Sequence, residues 1–228
     1  MSVRIFIATL LLLLFANVSA QDVNTDKGKL SYALGWDLGK QIAGRKEEMN
    51  VDSVIAAIRD AATGKEPRVT QEEMITQLRG FSERVQAERA EAFKKLAAEN
   101  QIKSDKFLAE NRTKKGIVVL PSGIQYRVIE EGSGPRPKLD SSVSLHFRGS
   151  KMDGREFESS FATGRPLTGV RINSVLKGWQ EILPLMKVDA TWQVFMPPEM
   201  AFGEAGQQGV IGPNEALVFD LKLIEIIE

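Results

Sequence analysis

Near Lys114-Lys-Gly116 the spacing of apolar residues changes from every third or fourth position to every second, which restricts the chain to two unlike parts. Before this point, Leu30, Leu34, Leu38 and Ile42 recur at intervals of four, with Ala33 and Trp36 beside them. After it, Ile124, Tyr126 and Val128 alternate with polar residues, as do Val143, Leu145 and Phe147. A helical part followed by a sheet-forming part makes the fold class α+β.

The spacing predicts three helices in the first part. One carries the Leu30–Ile42 stripe and ends at Gly44. In the second, Asp52 is the expected N-cap of residues 53–63, with Val54, Ile55 and Ile58 facing inward, and Gly64 and Pro67 close it. Thr70-Gln-Glu-Glu73 reads as a capping box that opens a long helix with Ile75, Leu78, Phe81, Val85, Phe93 and Leu96 on its apolar face. From 71 to 99 this helix is roughly 43 Å long. Asn100 is a candidate break and Ser104 a candidate cap for a continuation to Arg112, so one helix and two remain alternatives. Three helices bury little apolar surface by themselves, and the Leu30, Leu34, Leu38 and Ile42 stripe is therefore expected to meet a second copy of the chain, the alternative being packing on the other two helices of its own chain.

In the second part, Asp153-Gly154 is a hairpin turn between Val143–Lys151 and Glu156–Phe157. Asn173 or Ser174 is expected to cap a short helix whose apolar side is Val175, Leu176, Trp179, Ile182 and Leu183. Strands are expected at Ala190–Met196 and Ala216–Ile227, joined by a long loop through Gly203 to Pro213. Apolar and aromatic residues at the strand and helix ends can converge on one pocket suited to an uncharged substrate such as a prolyl peptide.

Composition removes several chemistries. The formal net charge is zero, which gives no electrostatic case for nucleic acid or an anionic membrane as partner. There is no cysteine, hence no disulfide, thiolate or cysteine–metal chemistry, and the only histidine, His146, lies within an alternating strand. No cofactor or metal is expected. At the N-terminus, Arg4, the apolar run Ile5–Ala16 and Val18-Ser-Ala20 read as a signal peptide cleaved after Ala20. Export to a periplasm follows as an expectation, without a stable membrane anchor. The expected division is 1–20 signal peptide, 21–113 helical dimerisation domain with its linking helix, and 114–228 sheet domain.

Several ordered motifs in residues 116–228 resemble the FKBP family of peptidyl-prolyl isomerases: Ser122-Gly-Ile-Gln-Tyr126, Leu145-His-Phe-Arg-Gly149, Phe157-Glu-Ser-Ser160, Val175-Leu-Lys-Gly-Trp179, Ala201-Phe-Gly203 and Leu217-Val-Phe219. Asp26-Lys-Gly-Lys-Leu-Ser-Tyr-Ala-Leu-Gly35 and Phe107-Leu-Ala-Glu-Asn111 resemble the helical domain of its Mip-like periplasmic members, which are V-shaped homodimers. The resemblance implies that Trp179 is the floor under the prolyl ring and that Phe157 and Phe219 are walls. Val175, Leu176, Val210 and Ile211 would line the substrate, with the Leu176 amide donating to the ligand backbone. It also implies partners: unfolded or proline-containing polypeptides, and a second subunit bound through the N-terminal helices.

Three polar positions depart from the family pattern. Phe147 and Phe202 stand where tyrosine is usual, and Glu158 where aspartate is usual. A phenylalanine expected near Leu167-Thr-Gly-Val170 is also missing. Reduced isomerase activity and weak macrolide binding are the consequence. The alternative is a non-catalytic chaperone that uses the same pocket to hold peptides.

Overall fold

A computed structural model describes residues 23–45 and 47–227; the expected signal peptide lies outside them. The chain forms two compact units, one up to Leu78 and one from Arg79 onward.

The first unit contains α1 (Asp26–Ala43), α2 (Val51–Ala62) and the opening of α3 (Gln71–Asn111). Each start is fixed by a local polar cap that satisfies orphan amides. Thr25 Oγ1 accepts from the Gly28 amide at 3.1 Å. Asn50 Oδ1 accepts from the Ser53 amide at 2.8 Å. Asn50, and not the expected Asp52, is therefore the N-cap of α2, and Asp52 sits in its first turn. At α3 the capping box forms as expected: the Glu73 amide donates to Thr70 Oγ1 at 3.2 Å, and the Thr70 amide donates to Glu73 Oε2 at 2.9 Å. Asp60, at the end of α2, accepts from Arg68 Nε at 2.6 Å and ties the following turn back to the helix.

The apolar stripe of α1 is largely uncovered. Leu30 is 63% and Leu34 66% exposed, and Leu38 is exposed as well, whereas Ile42 is buried within its own chain. Ile55 and Ile58, expected to face inward, are exposed, because nothing among the described residues covers that side of α2. A cleft of about 1000 Å³ runs between these helices past Tyr32, Trp36, Ile55 and Ile58.

The long helix does not break. α3 is a single helix of 41 residues running through both Asn100 and Ser104. Their side chains bond to a distant loop and not to their own backbone, so neither competes with the helical ladder.

In the second unit, β1 (Val118–Val119), β2 (Gln125–Glu130), β3 (Ser142–Lys151), β4 (Glu156–Ser159), β5 (Leu167–Arg171), β6 (Thr191–Met196) and β7 (Leu217–Ile227) form one antiparallel sheet. The order is β1-β2-β6-β7-β3-β4, with β5 also pairing with β3. Along β7, Leu217, Phe219, Leu221 and Leu223 alternate into the core, the period-two burial of a sheet with one covered face. α4 (Lys177–Ile182) packs on that face with Trp179 and Ile182 buried. Asn173 and Ser174 do not cap it. They lie in a separate 3-10 turn, Ser174 Oγ bonds Asn173 Oδ1, and Leu176 is the N-cap without a side-chain bond.

The end of α3 covers the outer face of the sheet. Phe107 packs against Phe195 of β6 with ring centroids 6.1 Å apart, which explains why Phe195 is buried although it points away from Val194. Asn111 Nδ2 donates to Gln125 Oε1 at 2.9 Å, and Gln125 Nε2 donates to the Leu108 carbonyl at 2.8 Å.

Candidate active site

Four aromatic residues from four elements meet on the inner face of the sheet. Trp179 of α4 stands edge-on to Phe147 of β3 at 5.4 Å and to Phe219 of β7 at 5.5 Å. Phe157 of β4 meets Phe219 at 6.0 Å with an interplanar angle of 89°. Edge-to-face contacts of this kind place the positive ring edge on a negative face and hold the rings in one arrangement. Trp179, Phe147 and Phe219 are buried, while Phe157 is half-buried.

Backbone geometry seats these rings closely. Gly149 lies on β3 directly under Phe157, and a Cβ there would come within 2.5 Å of Phe157 Cζ. Gly178 lets α4 press against Met196, whose Sδ would be 2.6 Å from an added Cβ. Ser160 fixes the turn after β4: its Oγ accepts from the Phe147 amide at 2.8 Å and bonds His146 Nδ1 at 3.0 Å. His146 stacks on Phe161 at 4.8 Å and so has a structural role.

Val175, Leu176 and Phe202 are half-buried against the same core, and Ile211 belongs to the buried cluster that contains Trp179 and Phe219. Val210, its neighbour, is exposed. Glu158 follows Phe157 on β4 and is exposed. Each expected residue except Val210 and Glu158 thus packs into one apolar assembly or against its edge. Val170, from the segment where a phenylalanine was expected, joins it, as do Met200 and Leu120, which have no aromatic or charged group to mark them in the sequence.

The assembly is almost free of charge. Phe147, Phe157, Trp179, Phe202 and Phe219 carry no ionisable group. The indole Nε1 of Trp179 is buried and has no hydrogen-bond partner among the described residues. The perturbed carboxyls lie elsewhere: Asp60 is held below the usual range by its bond to Arg68, Glu73 by its bonds to Thr70, and Asp153 by the Arg155 amide and side chain. Arg148 and Asp220 pair on the outer face of the sheet. No cluster of three metal-ligating side chains occurs among the described residues. No helix among them is long and apolar enough to cross a membrane.

Comparison with known proteins identifies the family of both parts of the chain. The family model for the domain amino terminal to FKBP-type peptidyl-prolyl isomerase matches residues 27–128, and that for FKBP-type peptidyl-prolyl cis-trans isomerase matches residues 134–224. The chain is 39% identical over 211 residues to the outer membrane protein MIP of Legionella longbeachae, covering 92% of this chain and 90% of the relative. It is 38% identical over 210 residues to the peptidyl-prolyl cis-trans isomerase Mip of Coxiella burnetii, covering 91% and 90%. The crystal structure of FkpA from Escherichia coli superposes with a TM-score of 0.69 at 32% identity, covering 89% of this chain and 97% of that one.

Proposed function

The chain belongs to the FKBP-type peptidyl-prolyl cis-trans isomerases, and from that membership we propose that it isomerises Xaa-Pro bonds of exported, unfolded polypeptides in the periplasm, at reduced rate and as a homodimer. The observation that carries the site is the edge-to-face packing of Trp179 with Phe147 and Phe219, next to Phe157. The prolyl ring rests on Trp179 between Phe157 and Phe219. Val175, Leu176, Val210 and Ile211 line the flanking peptide. The working parts are a helical dimerisation region to residue 113 and an isomerase region from 114.

The chemistry needs little more than apolar walls. The barrier to rotation is about 18–20 kcal/mol and arises from amide resonance. In the twisted transition state that resonance is lost and the amide oxygen carries less charge. Moving the amide out of water therefore destabilises the planar ground state more than the transition state. No proton transfer or covalent step is required, consistent with a site whose rings have nothing to titrate.

The reduced rate follows from Phe202. The family resemblance implies a tyrosine hydroxyl there that donates to the substrate carbonyl, and phenylalanine has none. Glu158, exposed on β4, is the other departure at the rim. Dimerisation is supported by the exposed Leu30 and Leu34 and by the apolar cleft beside Trp36.

A second reading, a peptide-holding chaperone without turnover, is favoured by the same loss of rim polarity. A protease-free isomerisation assay on an Xaa-Pro peptide separates the two, with Trp179→Ala beside the wild type and its fold verified by circular dichroism. Turnover above background that disappears in the variant is expected. Background rates in both would refute catalysis and leave peptide holding.

A further inference from the structure

The loop between β6 and β7 is held from outside the sheet. Ala97, Asn100 and Ser104 are buried on one face of α3, at the spacing that brings helical residues into line. Asn100 Nδ2 donates to the Pro213 carbonyl at 2.8 Å. Ser104 Oγ donates to the Asn214 carbonyl and accepts from the Ala216 amide, both at 2.8 Å. The Asn214 side chain donates in return to the Ala97 carbonyl at 3.4 Å. Simple packing of a helix on a sheet would use apolar side chains. Here buried polar groups of α3 bond the backbone of residues 213–216 instead.

Two more observations show how closely that backbone is held. Asn214 has φ of 51°, in the left-handed region that non-glycine residues seldom occupy without support from their surroundings. Gly212 lies so near Asn100 that an added Cβ would be 2.9 Å from its Nδ2. Its amide donates to Glu215 Oε2 at 2.7 Å, and the same oxygen pairs with Lys151 Nζ of β3 at 3.0 Å. Immediately before this anchored stretch come Val210 and Ile211, with Ile211 packed among the buried residues that include Trp179. Ile211 is itself braced by a two-way pairing with Gln207, each amide donating to the other's carbonyl at 2.8 Å.

We propose that Ser104 and Asn100 are positioning residues of the isomerase: through the backbone of residues 213–216 they set where the loop places Ile211 and Val210 against the bound peptide. This rests on the site assignment made above. Neither residue touches the pocket, so their effect is on substrate binding rather than on the rotation step.

The test uses the full chain with Ser104→Ala, the milder Asn100→Ala in case the first does not fold, and Asn111→Ala as a control. Asn111 anchors the same helix to β2, away from the loop. Two quantities are read: amide hydrogen exchange at Gln207 and Ile211, which bond to neither variant site, and KM and kcat for an Xaa-Pro peptide. In Ser104→Ala, exchange at Gln207 and Ile211 should quicken and KM rise by about tenfold, the factor that corresponds to ~1.4 kcal/mol, with kcat held within about twofold. Asn100→Ala should move both in the same direction by less. Asn111→Ala should lower the melting temperature and leave both unchanged. Unaltered exchange at Gln207 and Ile211, an equal change in Asn111→Ala, or a fall in kcat at constant KM would overturn the proposal. A wild type without turnover refutes the isomerase reading alone, and the exchange comparison then decides the loop's anchoring by itself.

Discussion

Gly149 offers a direct probe of how tightly the aromatic rings are seated. An alanine Cβ at this position lies 2.5 Å from Phe157 Cζ, 2.7 Å from Phe157 Cε2 and 3.0 Å from Phe219 Cε1. Ordinary carbon contacts are about 3.5–4.0 Å, so the Phe157 ring must retreat by about 1 Å. The backbone at Gly149 is not in the left-handed region, so the penalty of Gly149→Ala is steric alone. Overpacking by one methyl typically destabilises by about 1–3 kcal/mol. For a chain of this size, ~2 kcal/mol corresponds to a fall in Tm of roughly 4–8 °C. A wall displaced by about 1 Å at a reacting site can reduce turnover by up to about a hundredfold. Thermal unfolding followed by near-ultraviolet circular dichroism and the protease-free isomerisation assay measure the two effects separately. Adding Phe157→Leu removes the ring that the new methyl strikes, so the double variant should regain most of the lost Tm while kcat/KM stays low. A Gly149→Ala protein with wild-type Tm and wild-type turnover would refute the claim that Phe157 is pressed onto β3.

Phe202→Tyr restores a hydroxyl at the rim and should raise kcat/KM by up to about tenfold, from a hydrogen bond of about 0.5–1.5 kcal/mol; an unchanged value argues against that residue facing the substrate. Leu34→Lys puts a charge on an exposed part of the α1 stripe and should convert a dimer to a monomer in sedimentation equilibrium, whereas an unchanged mass removes α1 from the interface. Asp60, with its carboxyl held low by Arg68, contributes stability above the ordinary carboxylate pKa of about 3.9 and loses it as pH falls through the depressed native value. Asp60→Asn should therefore lower helical stability at neutral pH and flatten its decline below about pH 4, and parallel acid limbs in variant and wild type would contradict this.

The extent to which the sequence could be read depended on how local each cause is. The capping box at Thr70 and Glu73 is a four-residue device and is visible in the order of residues alone. The alternation along β3 and β7 is likewise a near-neighbour pattern, and so is the Asp153-Gly154 turn. Asn50 and Asp52 are both good capping residues, and only the backbone angles single out Asn50 as the N-cap of α2. Asn100 and Ser104 were ambiguous for a deeper reason. Both residue types favour helix ends, and what keeps them inside a helix is a set of partners more than a hundred residues away in sequence. Of the rings that the fold brings together, Trp179, Phe147, Phe157 and Phe219 all lie in motifs whose order is plain in the sequence. Gly149 was visible as a letter, but the need for a bare backbone under Phe157 emerges only once β3 and β4 are paired.

The position of β7 in the sheet governs when the enzyme comes into being. β7 is the last of the seven strands in chain order, yet it lies between β6 and β3 and pairs with both. A chain that emerges from its N-terminal end thus presents β3 and β6 with their edges open until residues 217–227 arrive. Phe219 arrives with that strand, so the sheet and the ring cluster are completed in one late event. Pairing β3 with β7 closes a long stretch of sequence, which makes that event slow relative to helix formation. A protein proposed to assist other chains in folding is itself, for this interval, an exposed sheet with no working site, and a loss of its last strand would remove the fold and the activity together.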